Sequence, residues 1–112
     1  MQQALHITAL PDDALEAAGV FHAEWLPKAR ELLAGDAESL VLVMAFAGSD
    51  HADWRRAVVR DLARAHAPKR VNCVVGDAES AVAATLAYLE MAPGVTGQLL
   101  PVDSQGAGNP AG

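Results

Sequence analysis

The sequence predicts an α/β fold, an open parallel sheet of about four strands joined by crossover helices. Three observations carry that reading. Short strand-like runs alternate with segments of helical periodicity along the chain, the order that successive βα units produce. The run Ser39-Leu-Val-Leu-Val-Met-Ala-Phe46 is apolar at nearly every position, as in strands covered on both faces. And 112 residues, 52% of them hydrophobic but only 4% aromatic, suffice for one domain whose core is filled by Ala, Val and Leu.

The elements follow in order. Leu5-His-Ile-Thr-Ala-Leu10 alternates loosely and stops at Pro11, which reads as a first strand. Asp12 and Asp13 suit the first turn of a helix. Leu15, Ala18, His22, Trp25, Ala29 and Leu32 then recur at helical spacing. Gly19 and Pro27 interrupt that spacing. The expectation is a short helix, a kink or loop near Gly19 to His22, and a second helix to about Leu33, with Pro27 in its first turn and Gly35 as its stop.

After the valine-rich second strand, Gly48-Ser-Asp50 reads as a turn. Ser49 or Asp50 is expected to cap a helix running to about His66. Arg70-Val-Asn-Cys-Val-Val75 is a third strand. Asp77 is expected to cap a helix over residues 78–91, ended by Pro93-Gly94. Gln98-Leu-Leu-Pro-Val-Asp103 is a fourth strand, and Pro101 puts it at a sheet edge. The domain is read as residues 1–103. Residues 104–112 have nothing to bury and are read as a flexible tail.

Several classes are excluded or disfavoured. A net charge of −6 argues against nucleic acid, whose binders present a basic face. No apolar run approaches a membrane span, and the N-terminus lacks the pattern of a secretory signal. The single Cys73 rules out an intrachain disulfide and fits a reducing compartment, so a cytoplasmic protein is expected. His6, His22, His51 and His66 lack metal-ligand spacing, and no metal site is expected. Cys73 reads as a buried small apolar residue.

Four fragments resemble one known family. Arg60-Asp-Leu-Ala-Arg-Ala-His-Ala-Pro68, Arg70-Val-Asn-Cys-Val74, Ala83-Ala-Thr-Leu-Ala-Tyr-Leu89 and Val95-Thr-Gly-Gln-Leu-Leu-Pro-Val-Asp103 resemble, in order and spacing, the C-terminal half of the short-chain dehydrogenases/reductases. The resemblance implies a Rossmann-like fold. It also exposes what this chain lacks. There is no glycine-rich dinucleotide loop between a strand and a helix. The positions of the family's Tyr and Lys pair fall at about Gly48 and Ala52, neither of which can donate a proton. The family's catalytic Ser falls near Phe46 or Ala47. Neither catalytic nor cofactor-binding residues are therefore expected. The chain reads as a truncated, non-catalytic relative, a pseudoenzyme.

Two functional readings stay open. In the first, the domain is a self-associating scaffold or regulatory subunit, a dimer or tetramer, with a full-length reductase of the resembled family as a further possible partner. The helix after residue 50 is apolar over more than half its circumference, which suggests burial on two sides. Trp54, Val58, Leu62 and Ala65 are its interface candidates, although Trp54 could equally pack under the N-terminal helices. In the second, a small ligand-binding or enzymatic module uses the C-terminal strand ends, where open α/β sheets bind ligands. Ser49, Asp50, His51, Gly76 and Asp77 would line its cleft. A Ser/His/Asp nucleophile is conceivable there, against the plainer reading of a capped helix start.

Overall fold

The computed structural model describes residues 1–102. Four strands, β1 (Gln2–His6), β2 (Ser39–Met44), β3 (Arg70–Val75) and β4 (Leu99–Pro101), form one sheet in the order β1-β2-β3-β4, every pair parallel. This is the expected Rossmann-like α/β arrangement. Asp103 and the residues read as a tail lie outside the described range.

Helix α1 (Ala14–Val20) starts where expected, because Asp13 Oδ2 accepts from the Glu16 amide at 3.0 Å. The chain does not leave the helix for a loop. The helical rod instead continues through one π turn, Phe21–Trp25, into α2 (Leu26–Ala34), with Pro27 in the first turn of α2. A π turn absorbs an extra residue without breaking the rod. Here it turns Phe21 fully into the core.

Strand β1 begins three residues earlier than expected and ends at His6. Gln2 and Gln3 hide it from a hydrophobic pattern, and an edge strand tolerates them. The chain stays paired for one residue beyond the strand, Ile7 donating to the Val43 carbonyl at 2.8 Å. In β2, by contrast, all six residues are buried.

Side chains alternate between the two sheet faces. Leu40, Leu42, Met44, Val71, Cys73 and Val75 point to one face and pack under α1, α2 and α3 (Ala52–Ala65). Val41, Val43 and Val74 point to the other and pack under α4 (Glu79–Glu90), with Val82, Leu89 and Val102. Placing all helices on one face would have left the opposite face bare. The molecule instead sends α4 to that second face. With the strands in chain order, the α4 crossover must have the opposite hand to the other two, so one hand is the uncommon one.

Polar side chains of β3 tie down that unusual connection. Arg70 Nη1 donates to the Leu89 and Ala92 carbonyls at 3.0 and 3.2 Å, closing the C-terminus of α4. Asn72 Nδ2 donates to the Val95 carbonyl at 3.0 Å, while its Oδ1 accepts from the Gln98 amide at 3.1 Å. Gly97 takes a φ of +73°, which costs glycine little, and donates to the Val71 carbonyl. Gly76 is needed for close approach: a Cβ there would stand 2.7 Å from Val102 Cγ2 and 2.9 Å from the Val102 carbonyl oxygen. Pro101 sits exposed on the edge strand, as its missing N–H requires.

Candidate functional site

The C-terminal ends of β2, β3 and β4 open onto a cavity of about 200 Å³. Its walls are the loop after β2, the first turn of α3 and the ends of β3 and β4, with Phe46, Ser49, His51, Arg55, Val75 and Leu99 among the lining residues.

His51 is buried and satisfied at both ring nitrogens. Nε2 lies 2.8 Å from the Asp12 carbonyl, which can only accept, so Nε2 carries the proton. Nδ1 accepts from the Trp54 indole N–H at 3.2 Å. A histidine held this way has no nitrogen free to activate a hydroxyl. The conceivable Ser49/Asp50/His51 nucleophile is not assembled: His51 turns inward to the α1 start, while Ser49 and Asp50 stay exposed. The expected helix caps are not formed either. Ser49–His51 is a single 3₁₀ turn, and neither Ser49 nor Asp50 makes a capping hydrogen bond.

Of the five cleft candidates only Ser49 and His51 line the cavity; Asp50, Gly76 and Asp77 lie apart from its lining. Gly76 is buried against Val102. Asp77 is exposed, does not cap α4, and accepts from the Phe46 amide at 3.4 Å. It thus links the β3 end to the loop after β2. The Tyr and Lys positions implied by the resemblance, Gly48 and Ala52, both line the cavity. Small residues stand there and leave space.

The sequence reading missed Arg55, the most unusual residue of the site. It is only 7% exposed and lines the cavity. Nη1 donates to the Ala45 carbonyl at 2.9 Å, Nε is buried without a partner, and no carboxylate pairs with the guanidinium among the described residues. Burial pulls its pKa down, an effect partly offset by the nearby Cys73. A signal was present. Arg55 stands four before Val59 and seven before Leu62, on the apolar stripe of α3 where an arginine is out of place. Cys73 lies beneath, fully buried. Desolvation pushes its thiol up to about 12, Arg55 opposing slightly, so it is a neutral core residue as expected.

The interface candidates on α3 have mostly been claimed by the chain itself. Val58 and Leu62 are each 5% exposed. Trp54 is half-buried, its ring centroid 5.5 Å from that of Phe21, which is the packing under the N-terminal helices that the sequence left open. Ala65 is exposed, and with Val58 and Leu62 it borders a groove of about 300 Å³ between α2 and α3. The breadth of apolar surface is real, but the sheet and the α1–α2 rod take it up. Apart from Ala57 and Ala65, the outer side of α3 is charged: Asp53, Arg56, Arg60, Asp61 and Arg64 are all exposed.

The outer side of α4 differs. Ala83, Ala84, Ala87, Tyr88 and Met91 form an exposed band along it and just past its end, with Tyr88 60% and Met91 83% exposed. Among the described residues, no three His, Cys, Asp or Glu side chains converge as metal ligands, and no helix is long and apolar enough to cross a membrane.

A model of the short chain dehydrogenase-like protein family matches residues 5–102, nearly all of the described chain. Neither the curated proteins nor the solved structures hold a significant match.

Proposed function

The chain belongs to the short chain dehydrogenase-like family, and from that premise we propose that it is a non-catalytic Rossmann-like domain that self-associates, as a scaffold or regulatory subunit, through the outer face of α4. The observation that carries the reading is the exposed band Ala83, Ala84, Ala87, Tyr88 and Met91. Aromatic residues and methionine are typical anchors of interface cores, and alanines let two helices approach closely.

The sheet supports it. A helix is about 10 Å wide and strands are about 4.8 Å apart, so one helix covers roughly two strands. On the α4 side, Ala4 and His6 of β1 are exposed. That face is short of one helix, and α4 of a second copy would supply it. The absence of chemistry rests on Gly48 and Ala52, which cannot serve as the family's proton donor and its lysine.

Sedimentation velocity on the whole chain and on Tyr88→Asp tests the reading. The expected result is a discrete dimer or tetramer for the parent and a folded monomer for the variant. A parent that stays monomeric through the micromolar range overturns it. An assembly found only with a full-length reductase would keep the face and change the occupant. A second reading, of a small ligand-binding module at the strand ends, rests on the cavity beside Arg55.

A further inference from the structure

We propose that the outer edge of β1 is a second self-association surface, where another copy of this chain pairs its own β1 antiparallel, centred on Ala4. The inference goes beyond the α4 reading and does not rest on it.

The alternation of the strand leaves this edge open. Ile7 donates to the Val43 carbonyl of β2, and alternate residues of a strand turn to the same neighbour, so Gln3 and Leu5 also bond β2. The N–H and C=O groups of Gln2, Ala4 and His6 therefore point outward. Among the described residues no strand pairs with them, and Ala4 and His6 are exposed. An unpaired edge is a template for another strand, and proteins blunt such edges with proline, charge or shortness. The opposite edge of this sheet is blunted: β4 has three residues and ends in the exposed Pro101. Strand β1 has five residues, with no proline, lysine or carboxylate among them. The terminal ammonium just before it is paired with Glu38.

The occupant follows from symmetry. Two copies related by a two-fold axis present identical edges, which then run antiparallel. Centred on Ala4, the strands set Ala4 against Ala4 of the other copy and Gln2 against His6. Every outward N–H then meets an outward C=O. A slip of one residue sets outward groups against inward ones, and a slip of two loses a pair. A second copy always carries an edge of this length and alternation, whereas another protein would need to match it. The flank of the edge is apolar. Helix α2 packs on β2 and α3 on β3, and the groove between the two helices takes Leu26 and Arg30. By helical spacing, Trp25 and Leu32 stand on the other side of the buried Ala29 and Leu33, toward β1. Both are half-buried, as is Leu5 in the same cluster, and a paired copy would cover all three. Five strand residues a side fall well short of the roughly 20–30 residues of a standard interface, so the pairing is weak by itself. It joins copies at high concentration and links α4 pairs into larger assemblies.

The test is isotope-filtered NMR on mixed labelled and unlabelled full-length Tyr88→Asp at near-millimolar concentration, a background in which the α4 face is disabled. The expected result is a contact between the α-protons of Gln3 and Leu5 of different copies, the closest approach in this register. Amide exchange at Ala4 and His6 should be at least tenfold slower than in micromolar samples of the same variant. Ala4→Pro, added to that background, removes an N–H that β2 does not use. It should keep the fold by circular dichroism and abolish the contact. Ala4→Lys sets like charges opposite each other across the axis and should weaken pairing at least fivefold, with added salt restoring part of it. It carries the test alone if Ala4→Pro fails to fold. No Gln3–Leu5 contact between copies, a contact centred on another residue, or pairing unchanged by Ala4→Lys overturns the proposal. Equally slow exchange of Ala4 and His6 at both concentrations would mean that the chain covers its own edge, which also overturns it. The α4 reading stands or falls separately, on sedimentation of the parent against Tyr88→Asp in the micromolar range.

Discussion

Helices α3 and α4 cross between neighbouring strands of the same sheet, yet they resolve the same problem in opposite ways. Helix α3 has the wider apolar face in the sequence and has two neighbours within the chain, the sheet below and the α1–α2 rod beside it. Its outside is left charged. Among the described residues, helix α4 has one neighbour, the sheet, and its outside stays apolar at Ala83, Ala84, Ala87, Tyr88 and Met91. The lesson is that the width of an apolar face does not identify an interface. What matters is that width set against the number of neighbours the fold provides.

The sharpest way to break this comparison is to put a charge at Trp54. If α3 is internally covered, Trp54→Asp buries a carboxylate against Phe21 and His51 and removes the cooperative unfolding transition, seen by circular dichroism. A folded monomer instead would return α3 to the role of an interface.

Next, Leu62→Ala in α3 and Leu89→Ala in α4 should each destabilise by about 2–5 kcal/mol in urea titrations, since both leucines are buried. A loss at Leu89 below about 1 kcal/mol would mean α4 is loosely docked, and its exposed band would lose meaning. A smaller effect belongs to the crossover that carries α4. Gly76→Ala forces β3 and β4 apart at Val102 and should cost about 1–3 kcal/mol.

Alkaline pH probes the covered side. The folded pKa of Cys73, raised by burial to about 12, lies above the unfolded value of about 9. Its contribution is fully present below pH 9 and is lost as pH rises toward 12. The decline is at most about 1.4 kcal/mol per pH unit. Cys73→Ala should remove that part of the decline, and an unchanged pH profile would show the thiol to be accessible. The smallest effect is expected at the charged exterior of α3. Arg64 pairs with Asp61 in full solvent, so Arg64→Ala should change stability by less than about 0.5 kcal/mol.

Much of this architecture was legible from local pattern. The β3 run from Arg70 to Val75 and the edge position implied by Pro101 appear as read, and the valine-rich β2 does so as far as Met44, with Ala45 and Phe46 exposed beyond its end, because burial on two faces and the missing N–H of proline are properties of the segments themselves. The π turn was not legible, since Gly19 and Pro27 suggest a break equally well. The strand-end site was legible only as a place. Ser49 and His51 do line it. Gly76 and Asp77 do not, because β4 lies against Gly76 and the loop after β2 engages Asp77, contacts between segments far apart in the chain. Arg55 escaped notice because a helical arginine is ordinarily counted with the solvent-facing residues.

By itself, the sequence determined the alternation of strands and helices, the parallel sheet, and the absence of a tyrosine and lysine at Gly48 and Ala52. Those follow from the periodicity of side chains and from which residues can move a proton. Only the tertiary structure decided that, among the described residues, α4 lies alone on its face, that Val58 and Leu62 are core, and that Arg55 is buried beside a cavity with no carboxylate paired to it. Each depends on which segments become neighbours, and a helix carries no record of how many of its sides the rest of the chain will cover.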